Sequence, residues 1–535
     1  MSLRKHASVM LGAAIVSLSL ITALAPGSAS ATAKPAKFDG LAYFRQHGYL
    51  PIHGLATLQR AKAYAASLVA NHQLSAPAAG TTGVAPTIGA NWSGVTNLFV
   101  TPPDANGAVG PSSYVEIINQ NIAIYTRTGS LVTSATLGRL TGHNTFNESD
   151  PMVLWDPDTQ RFYYNVLDVS QATMQWGFSK DSNPTAIPTS FCNYSQSFGY
   201  LSSNLPDYPK LGQTKNFLMI GVNFYPTFSN LHATESDLLW ISKPQGQSPV
   251  TTCPAASTFK SGKFANLRNQ DGTQAFTPVP AIQTDPSKNG FVITMSDIEC
   301  PDICGTGTKI TVHAIRPSPT DPTVPQLLTT GKSITVTGYT SPPDAPMKGT
   351  TKLLDTLDGR LTHAVSGKDP SQGGKLAVWV SHTVTGGAGS QVNWYEINPL
   401  PVNTPTLLQS GTVSDASLYV FNGGISSDRA VVAAGTGSHG DSMILGFSTS
   451  SSTAFPAIQM VSKIGAGAQS AFVLVKQSTT FENDFSCSPT CRWGDYSGAT
   501  PDPTASPASA HGEVWLTNEW ATGTPVQTFN WEALP

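Results

Sequence analysis

From about residue 88 onward, apolar residues arrive in short bursts of strand length, separated by turns rich in glycine, proline and aspartate. One unit recurs: a short strand, a turn written Asp-Pro, then a strong strand of β-branched or aromatic residues. The four full copies pair segments 152–155 with 162–167, 281–283 with 291–295, 361–365 with 376–380, and 497–499 with 513–517. Recurrence of one supersecondary unit is typical of repeat architectures.

Three further units lack the Asp-Pro turn and pair segments 114–118 with 122–125, 210–212 with 217–222, and 430–434 with 443–447. Seven units over about 440 residues average roughly 60 each, longer than compact propeller blades unless several carry long loops. The pattern predicts an all-β fold, a single β-propeller of six to seven blades spanning residues 89–535. Two packed β-sandwiches would also give many short strands but would not require one unit to recur.

The first 88 residues follow different patterns. Arg4 and Lys5 precede an apolar run from Val9 to Ala25 and a small-residue stretch, which is typical of a secretory signal peptide over residues 1–31. The polar residues and the Pro-Gly break in this region disfavour a membrane anchor, which needs roughly 20 apolar residues. We therefore expect cleavage after Ala31 or Ala33, a secreted, extracellular protein and no membrane span.

Residues 32–74 include Leu55, Leu58, Ala65 and Leu68 at helical spacing, so a short helical N-terminal segment is predicted there. A linker rich in proline, alanine and glycine follows over residues 75–88. The helical segment could be a pro-segment, a spacer or a cap on the main domain.

Charge is sparse along the chain. Asp, Glu, Lys and Arg make up 12% of the residues, against about 25% in an ordinary globular domain. Removal of Arg4 and Lys5 with the signal leaves 28 basic and 33 acidic residues, a net charge of −5, and no basic block that could follow a phosphate backbone. Nucleic acid is therefore not an expected partner.

The sequence contains six cysteines, Cys192, Cys253, Cys300, Cys304, Cys487 and Cys491. An even number in an exported chain predicts structural disulfides. The local pairs 300/304 and 487/491 are expected to staple loops, which leaves residues 192 and 253 as the third bridge. A four-thiolate zinc site is the competing interpretation, but each local pair has three intervening residues, one of them proline, and no nearby histidine.

Two longer motifs make the chain familiar. Residues 102–111, Pro-Pro-Asp-Ala-Asn-Gly-Ala-Val-Gly-Pro, followed by Tyr114-Val-Glu116, resemble the opening blade of exported bacterial sialidase-like propeller proteins. Residues 492–497, Arg-Trp-Gly-Asp-Tyr-Ser, with Asp502-Pro503 and residues 515–520, resemble their closing blade. The resemblance implies a sialidase-like propeller, an architecture that serves glycosidases, lectins and adhesion modules. The repeated Ser-x-Asp-x-Gly-x-x-Trp boxes of true sialidases are absent, which argues against sialic acid as substrate.

Candidate catalytic carboxylates lie where first strands should line the central channel. Asp104, Asp150, Asp207 and Asp495 each stand just before or within the first strand of a predicted unit, with Glu519 and Glu299 as further candidates. Two carboxyl groups about 5 to 9 Å apart could act as acid and base, or acid and nucleophile, in glycoside cleavage. The alternative is that these aspartates accept backbone N–H bonds in turns.

Aromatic residues near the same motifs, Trp493, Tyr496 and Trp520, could form a sugar-binding platform, although tryptophan in blades usually packs in the core. No cofactor is expected apart from a structural calcium ion, to which Asp156 and Asp158 could contribute hard oxygen ligands.

Two functional hypotheses remain from the sequence. The first is a glycoside hydrolase that cleaves an extracellular polysaccharide through a carboxylate pair at the channel mouth. The second is a non-catalytic module that binds glycan or protein through aromatic loops on the propeller face. Both make a glycan or polysaccharide the expected partner, and we expect a monomer.

Overall fold

The computed structural model describes residues 56–70, 83–97, 100–143, 147–227, 233–244, 246–296, 306–432, 436–487, 490–523 and 531–535. The chain separates into two units, Met1–Phe38 and Asp39–Pro535, and every described residue belongs to the second. The predicted signal peptide, Glu299, Cys300 and Cys304 lie outside the described residues. Among the described residues, no helix has the length and apolar character needed to cross a membrane.

The first three blades are antiparallel sheets of four strands that follow one another in sequence. Blade 1 contains β1 (Asn106–Val109), β2 (Ser113–Ile118), β3 (Asn121–Thr126) and β4 (Leu131–Thr136). Blade 2 contains β5 (Glu148–Asp156), β6 (Arg161–Asp168), β7 (Thr173–Ser179) and β8 (Phe191–Gln196). Blade 3 contains β9 (Leu205–Gln213), β10 (Phe217–Tyr225), β11 (Glu235–Ser242) and β12 (Ser261–Phe264).

The next blades repeat this order. Blade 4 contains β13 (Ala275–Pro280), β15 (Gly290–Ser296), β16 (Gly307–Pro317), β17 (Pro325–Leu327) and β18 (Lys332–Tyr339). Blade 5 contains β21 (Leu361–Asp369), β22 (Lys375–Gly386), β23 (Gly389–Asn398) and β24 (Thr406–Val413). Blade 6 contains β25 (Tyr419–Ser427), β28 (Ser442–Ser451), β29 (Ala454–Ile464) and β30 (Val473–Gln477). Blade 7 contains β32 (Gly498–Pro501), β33 (Val514–Ala521) and β34 (Trp531–Leu534).

Short elements decorate this frame. The helices are α1 (Ala56–Ala70), α2 (Leu137–Thr141) and the 3-10 turns Ala256–Thr258 and Pro370–Gln372. The small strands are β14 (Ile282–Gln283), β19 (Ala345–Pro346), β20 (Leu353–Leu354), β26 (Ala430–Val432), β27 (Thr436–Ser438) and β31 (Thr490–Cys491). Strands β19, β20 and β31 form a three-stranded sheet, and β14 joins β9 to β21 by parallel pairing.

The seven first strands make a closed ring. Strand β1 contacts β5, and the contacts continue through β9, β13, β21, β25 and β32 back to β1. The N-terminal segment completes blade 7, because Gly94 N donates to Ala533 O at 2.8 Å and Ala533 N donates to Val95 O at 3.2 Å. The chain is therefore a seven-bladed β-propeller whose two ends close one blade, which leaves the ring without an open edge.

Each inner sheet packs between two neighbours, and this explains the run of apolar residues in the strong strands. Strand β6 is buried at all eight positions and β9 at all nine, on both faces of their sheets. A sheet buried on both sides has no solvent face and thus no polar alternation. The bursts near residues 162–167 and 217–222 follow from this double burial.

All seven predicted units correspond to blades, but two inner strands differ from the prediction. In blade 6 the first strand is β25, whereas residues 430–432 form β26 in a hairpin with β27 within the connection to β28. In blade 4 the first strand is β13, and residues 282–283 form β14. Both segments looked like first strands because they immediately precede a turn and a strong strand.

The Asp-Pro turns lie where first strands end. Asp156, Asp285, Asp369 and Asp502 are all at most 3% exposed. Asp369, for example, accepts a 2.7 Å bond from Ser371 N, and Asp285 accepts from Arg429 Nε at 2.8 Å and Nη2 at 2.9 Å. These aspartates cap turns and anchor neighbouring blades, at the end of the channel opposite the candidate carboxylates.

Two of the three predicted disulfides are present within the described residues. Cys192 in β8 is bonded to Cys253, and Cys487 to Cys491 at β31. The first bridge spans 61 residues and ties blade 2 to the segment that follows β11, whereas the second spans four residues.

We predict that the two bridges differ in their contribution to stability. Loop-closure entropy gives about 4 kcal/mol for the Cys192–Cys253 bridge and about 2 kcal/mol for Cys487–Cys491. Paired serine variants, Cys192→Ser with Cys253→Ser and Cys487→Ser with Cys491→Ser, should be compared by guanidinium unfolding at fixed redox conditions. Equal losses for the two pairs would contradict the entropic account.

Candidate functional site

The channel mouth is built from β-bulges in the first strands. Asp104, Asp150, Tyr208, Thr277 and Asn422 adopt positive φ, between 48° and 57°, just before or within the first strands of blades 1, 2, 3, 4 and 6. Register shifts accompany four of these positions, in the β5, β9, β13 and β25 pairings. A bulge bends its strand and redirects a side chain, so the same backbone device turns residues of several blades toward the channel.

Asparagine side chains hold two of these bulges. Asn119 Oδ1 accepts from Asp150 N at 2.9 Å, and Asn223 Oδ1 accepts from Thr277 N at 2.9 Å. The left-handed region is unfavourable for a β-branched residue such as threonine, and Asn223 Nδ2 adds a 2.9 Å bond to Thr277 Oγ1. The mouth is therefore fixed by side chain to backbone bonds between neighbouring strands.

All four candidate aspartates lie at this mouth, as the sequence predicted. Asp104 precedes β1, Asp150 and Asp207 lie in β5 and β9, and Asp495 precedes β32. Asp104 is 2% exposed, Asp207 and Asp495 are each 8% exposed, and Asp150 is partly buried. The four carboxyl groups thus converge just below the surface from blades 1, 2, 3 and 7.

Asp104 and Asp150 are engaged in hydrogen bonds. Asp104 accepts from Asn119 Nδ2 at 2.7 Å and from Asp495 N at 2.8 Å. Asp150 accepts from Ser149 Oγ at 2.6 Å and from Tyr496 OH at 2.8 Å. Burial raises the pKa of both carboxyls, and repulsion from Asp495 adds to the effect.

Asp495 is paired with a cation. Arg492 Nη2 lies 2.5 Å from Asp495 Oδ2, and Arg492 Nε lies 3.6 Å from Asp355 Oδ2. The other oxygen of Asp495 is buried without a hydrogen-bond partner. Arg492 thereby links the mouth to the sheet formed by β19, β20 and β31.

Asp207 has the most unusual environment of the four. Among the residues that the structure describes, none donates a hydrogen bond to its carboxylate. Burial, followed by repulsion from Asp150, raises the pKa of Asp207 to about 8. With no donor to favour the ionised form, this carboxyl group holds its proton at neutral pH.

Cations and tyrosines form the wall beside these acids. Lys210 Nζ lies 3.8 Å from the ring centre of Tyr208 and 3.5 Å from that of Tyr496, and donates to Asp495 O at 3.3 Å. Arg360 lies 4.5 Å from the Tyr208 ring and forms an ion pair with Asp358. Burial lowers the pKa of Lys210 well below its usual range.

Glu519 lies within β33 rather than after it, and is fully buried. Its Oε1 accepts from Gly494 N at 3.0 Å and from Asn422 Nδ2 at 2.8 Å, while burial raises its pKa to about 8. Gly494 has no room for a side chain, because a Cβ there would lie 2.7 Å from the Glu519 carboxylate. Glu519 supports the backbone of the segment that carries Asp495.

The three candidate aromatic residues are buried in packing. Trp493 is 2%, Tyr496 0% and Trp520 6% exposed. Trp493 Nε1 donates to Ser448 Oγ at 3.1 Å, and Trp520 packs with Ile458 and Leu534. Their contact with a sugar remains a prediction, and of the three only Tyr496 touches a candidate carboxylate.

Sequence reasoning missed the cations of the site. Arg492 is the first residue of the motif that supplied Asp495, and Lys210 stands three residues after Asp207 in the same strand. Arg360 directly precedes β21. A search for basic residues next to the predicted first strands would have found all three, because an inward-facing cation needs the same position as an inward-facing acid.

A metal ion is not implied by the spacing at the mouth. Over the described ranges, one group, Asp428, Asp441 and His511, brings three potential ligand atoms within 4.8 Å of one another, and it lies beyond the far end of β25. At the predicted calcium position, Asp156 Oδ2 is 2.5 Å from Lys243 Nζ. The calcium ion stays a prediction.

Comparison with known proteins identifies no relative by sequence: no family model and no curated protein matches. Three solved structures resemble the chain. They are an endo-arabinase from Bacteroides thetaiotaomicron (13% identity, 58% of this chain and 92% of that one, TM-score 0.27), a GH43 β-1,3-galactosidase (11%, 57% and 93%, 0.27) and the WD40 domain of SCAP from fission yeast (11%, 81% and 82%, 0.32). Scores this low identify no reaction or ligand for this chain, and the propeller assignment follows from its strand order.

We predict opposite stability effects for two mouth variants. Because the pKa of Asp207 is raised on folding, this group stabilises the protein fully below its unfolded pKa near 4 and loses that contribution as pH rises toward 8. Asp207→Asn should therefore be more stable than wild type at pH 9, by at least ~1 kcal/mol. Asp495→Asn should be less stable, because the Arg492 guanidinium loses its 2.5 Å partner.

The measurement is chemical unfolding of wild type and both variants at intervals between pH 5 and pH 9. A stability difference between Asp207→Asn and wild type that does not grow with pH would show that Asp207 is already ionised in the folded protein.

Proposed function

We propose that the protein is a secreted glycoside hydrolase that acts on an extracellular polysaccharide, with Asp207 as the general acid and Asp150 as its partner carboxylate. The single observation behind this proposal is the state of Asp207, a buried carboxyl group without a described donor beside a second carboxyl that is well hydrogen-bonded. Glycoside cleavage requires two such groups in different protonation states.

The first role, proton donation to a leaving oxygen, needs a carboxylic acid that is protonated near neutral pH. A pKa of about 8 gives Asp207 this property. The cause is burial together with the nearby charge of Asp150, so the two carboxyls titrate as a coupled pair in which the second resists ionisation after the first.

The second role needs a carboxylate that stays ionised next to the acid. The Ser149 and Tyr496 hydroxyl groups both donate to Asp150, at 2.6 and 2.8 Å, and such bonds favour the charged form. Asp104 is less suited, because it is 2% exposed and its bonds fix Asn119 and the backbone of Asp495. Asp150 is the more accessible of the two.

Export and substrate class complete the proposal. The predicted signal peptide and the two disulfides suit an oxidising, extracellular environment. Acetal hydrolysis needs only a proton donor and a carboxylate, which are the groups that the mouth brings together.

A non-catalytic glycan-binding or protein-binding module is the second candidate. It is favoured by the 2% exposure of Asp104 and by the turn-like bonds that this residue accepts. In that case the carboxyls would serve to fix the loops of the propeller face.

We predict that the purified mature protein releases sugars from at least one member of a polysaccharide panel. Asp207→Asn and Asp150→Asn should each lower kcat by at least roughly a hundredfold, the usual contribution of acid or base catalysis. The pH profile of wild type should fall above about pH 8, where Asp207 loses its proton.

The control is Asp321→Asn, which removes a surface carboxyl paired with Lys260 at 2.5 Å and should leave kcat unchanged. Reducing-sugar release and pull-down with the insoluble polymers should be measured on the same samples. Binding to one polymer without release from any would assign the protein to the binding class instead.

A further inference from the structure

Helix α1 docks on the propeller through its alanine face and one lysine. Ala61 and Ala65 are 6% and 0% exposed, whereas Tyr64 on the other side is 58% exposed. Lys62 lies on the buried side and is 8% exposed, which is unusual for a lysine. Its long side chain reaches into the segment between β18 and β21.

The Lys62 ammonium occupies an acidic socket. Its Nζ lies 2.5 Å from Asp344 Oδ1, 3.4 Å from Asp355 Oδ1 and 3.3 Å from Thr356 Oγ1. Burial opposes the charge, but attraction to Asp344 and Asp355 prevails and raises the pKa of Lys62. The helix is thus anchored by a charged group inside the protein.

The socket is connected to the channel mouth by consecutive polar contacts. Asp355 Oδ2 lies 3.6 Å from Arg492 Nε, and Arg492 Nη2 lies 2.5 Å from Asp495 Oδ2. Asp495 N in turn donates to Asp104 Oδ1 at 2.8 Å. Asp355 therefore lies between two cations, Lys62 on one side and Arg492 on the other.

We propose that α1 is an integral cap of the channel mouth and that Lys62 is a positioning residue, which holds Asp355 and through it the Arg492–Asp495 pair. The consequence for catalysis rests on the proposed hydrolase function. The positioning itself does not.

The physical reason is competition for one guanidinium. With Lys62 present, the charge of Asp355 is shared between two cations, and Arg492 keeps its short contact with Asp495. Without Lys62, Asp355 attracts Arg492 more strongly, and the bond to Asp495 weakens. A residue on the N-terminal helix thus controls a charge pair in blade 7 that it does not touch.

A double-mutant cycle on thermal unfolding tests this coupling without any substrate. The variants are Lys62→Ala, Asp495→Asn and their combination, all in the full mature chain. We expect the fall in Tm of the double variant to be smaller than the sum of the two single falls by ~2 °C or more, because Lys62→Ala already weakens what Asp495→Asn removes.

Arg60→Ala is the matched control, because Arg60 lies exposed on the same helix, and its cycle with Asp495→Asn should be additive. Lys62→Arg should restore most of the Tm lost in Lys62→Ala. If Lys62→Ala or Asp495→Asn does not fold, Lys62→Gln and Arg492→Lys take their places. Additive falls in Tm for the Lys62 cycle would overturn the proposal.

An activity arm separates the two proposals. With a substrate from the polysaccharide panel, Lys62→Ala should lower kcat and shift the pH profile, while Arg60→Ala should change neither. Coupling in the unfolding cycle without sugar release would reject the hydrolase and keep the positioning role. Sugar release that Lys62→Ala leaves unchanged in kcat and pH profile would reject the catalytic consequence of the cap.

Discussion

Closure of the ring of first strands is the constraint on which the rest of the structure depends. Seven strands meet at their beginnings only if the last blade joins the first, and the bonds of Gly94 and Val95 to Ala533 make that joint. Once closed, the ring brings residues that are almost 400 positions apart in sequence into contact, as in the bond from Asp495 N to Asp104 Oδ1. Separate blades could not form this mouth.

The same closure creates an electrostatic problem at the mouth. Asp104, Asp150, Asp207 and Asp495 approach one another from four blades in a region of low exposure, where like charges repel strongly. Part of the repulsion is relieved by Arg492, and part by proton uptake at Asp207. A protonated acid beside an ionised one is thus a result of packing carboxyls in a ring, and it is also the condition for acid catalysis.

The sequence predicted the blade count and the placement of the aspartates because both depend on local patterns. Strong strands are buried on both faces, so their apolar runs are continuous, and the acids stand at fixed offsets before them. The first strand of blade 6 was missed, because β25 contains two glycines and two serines and lacks the expected apolar run. Which acid would be protonated could not be predicted, since it depends on contacts between blades.

The burial of Trp493 and Tyr496 shows how the two demands of the mouth are combined. Both residues belong to the motif that carries Arg492 and Asp495, yet their rings pack inward, and the Tyr496 hydroxyl reaches Asp150 in another blade. The motif therefore supplies packing on one side and charge on the other from six consecutive residues. Because its backbone is also held by Glu519 through Gly494, any movement of Arg492 is transmitted to a rigid segment and must displace the charge pair rather than the strand. This rigidity makes the mouth sensitive to a lysine on a distant helix.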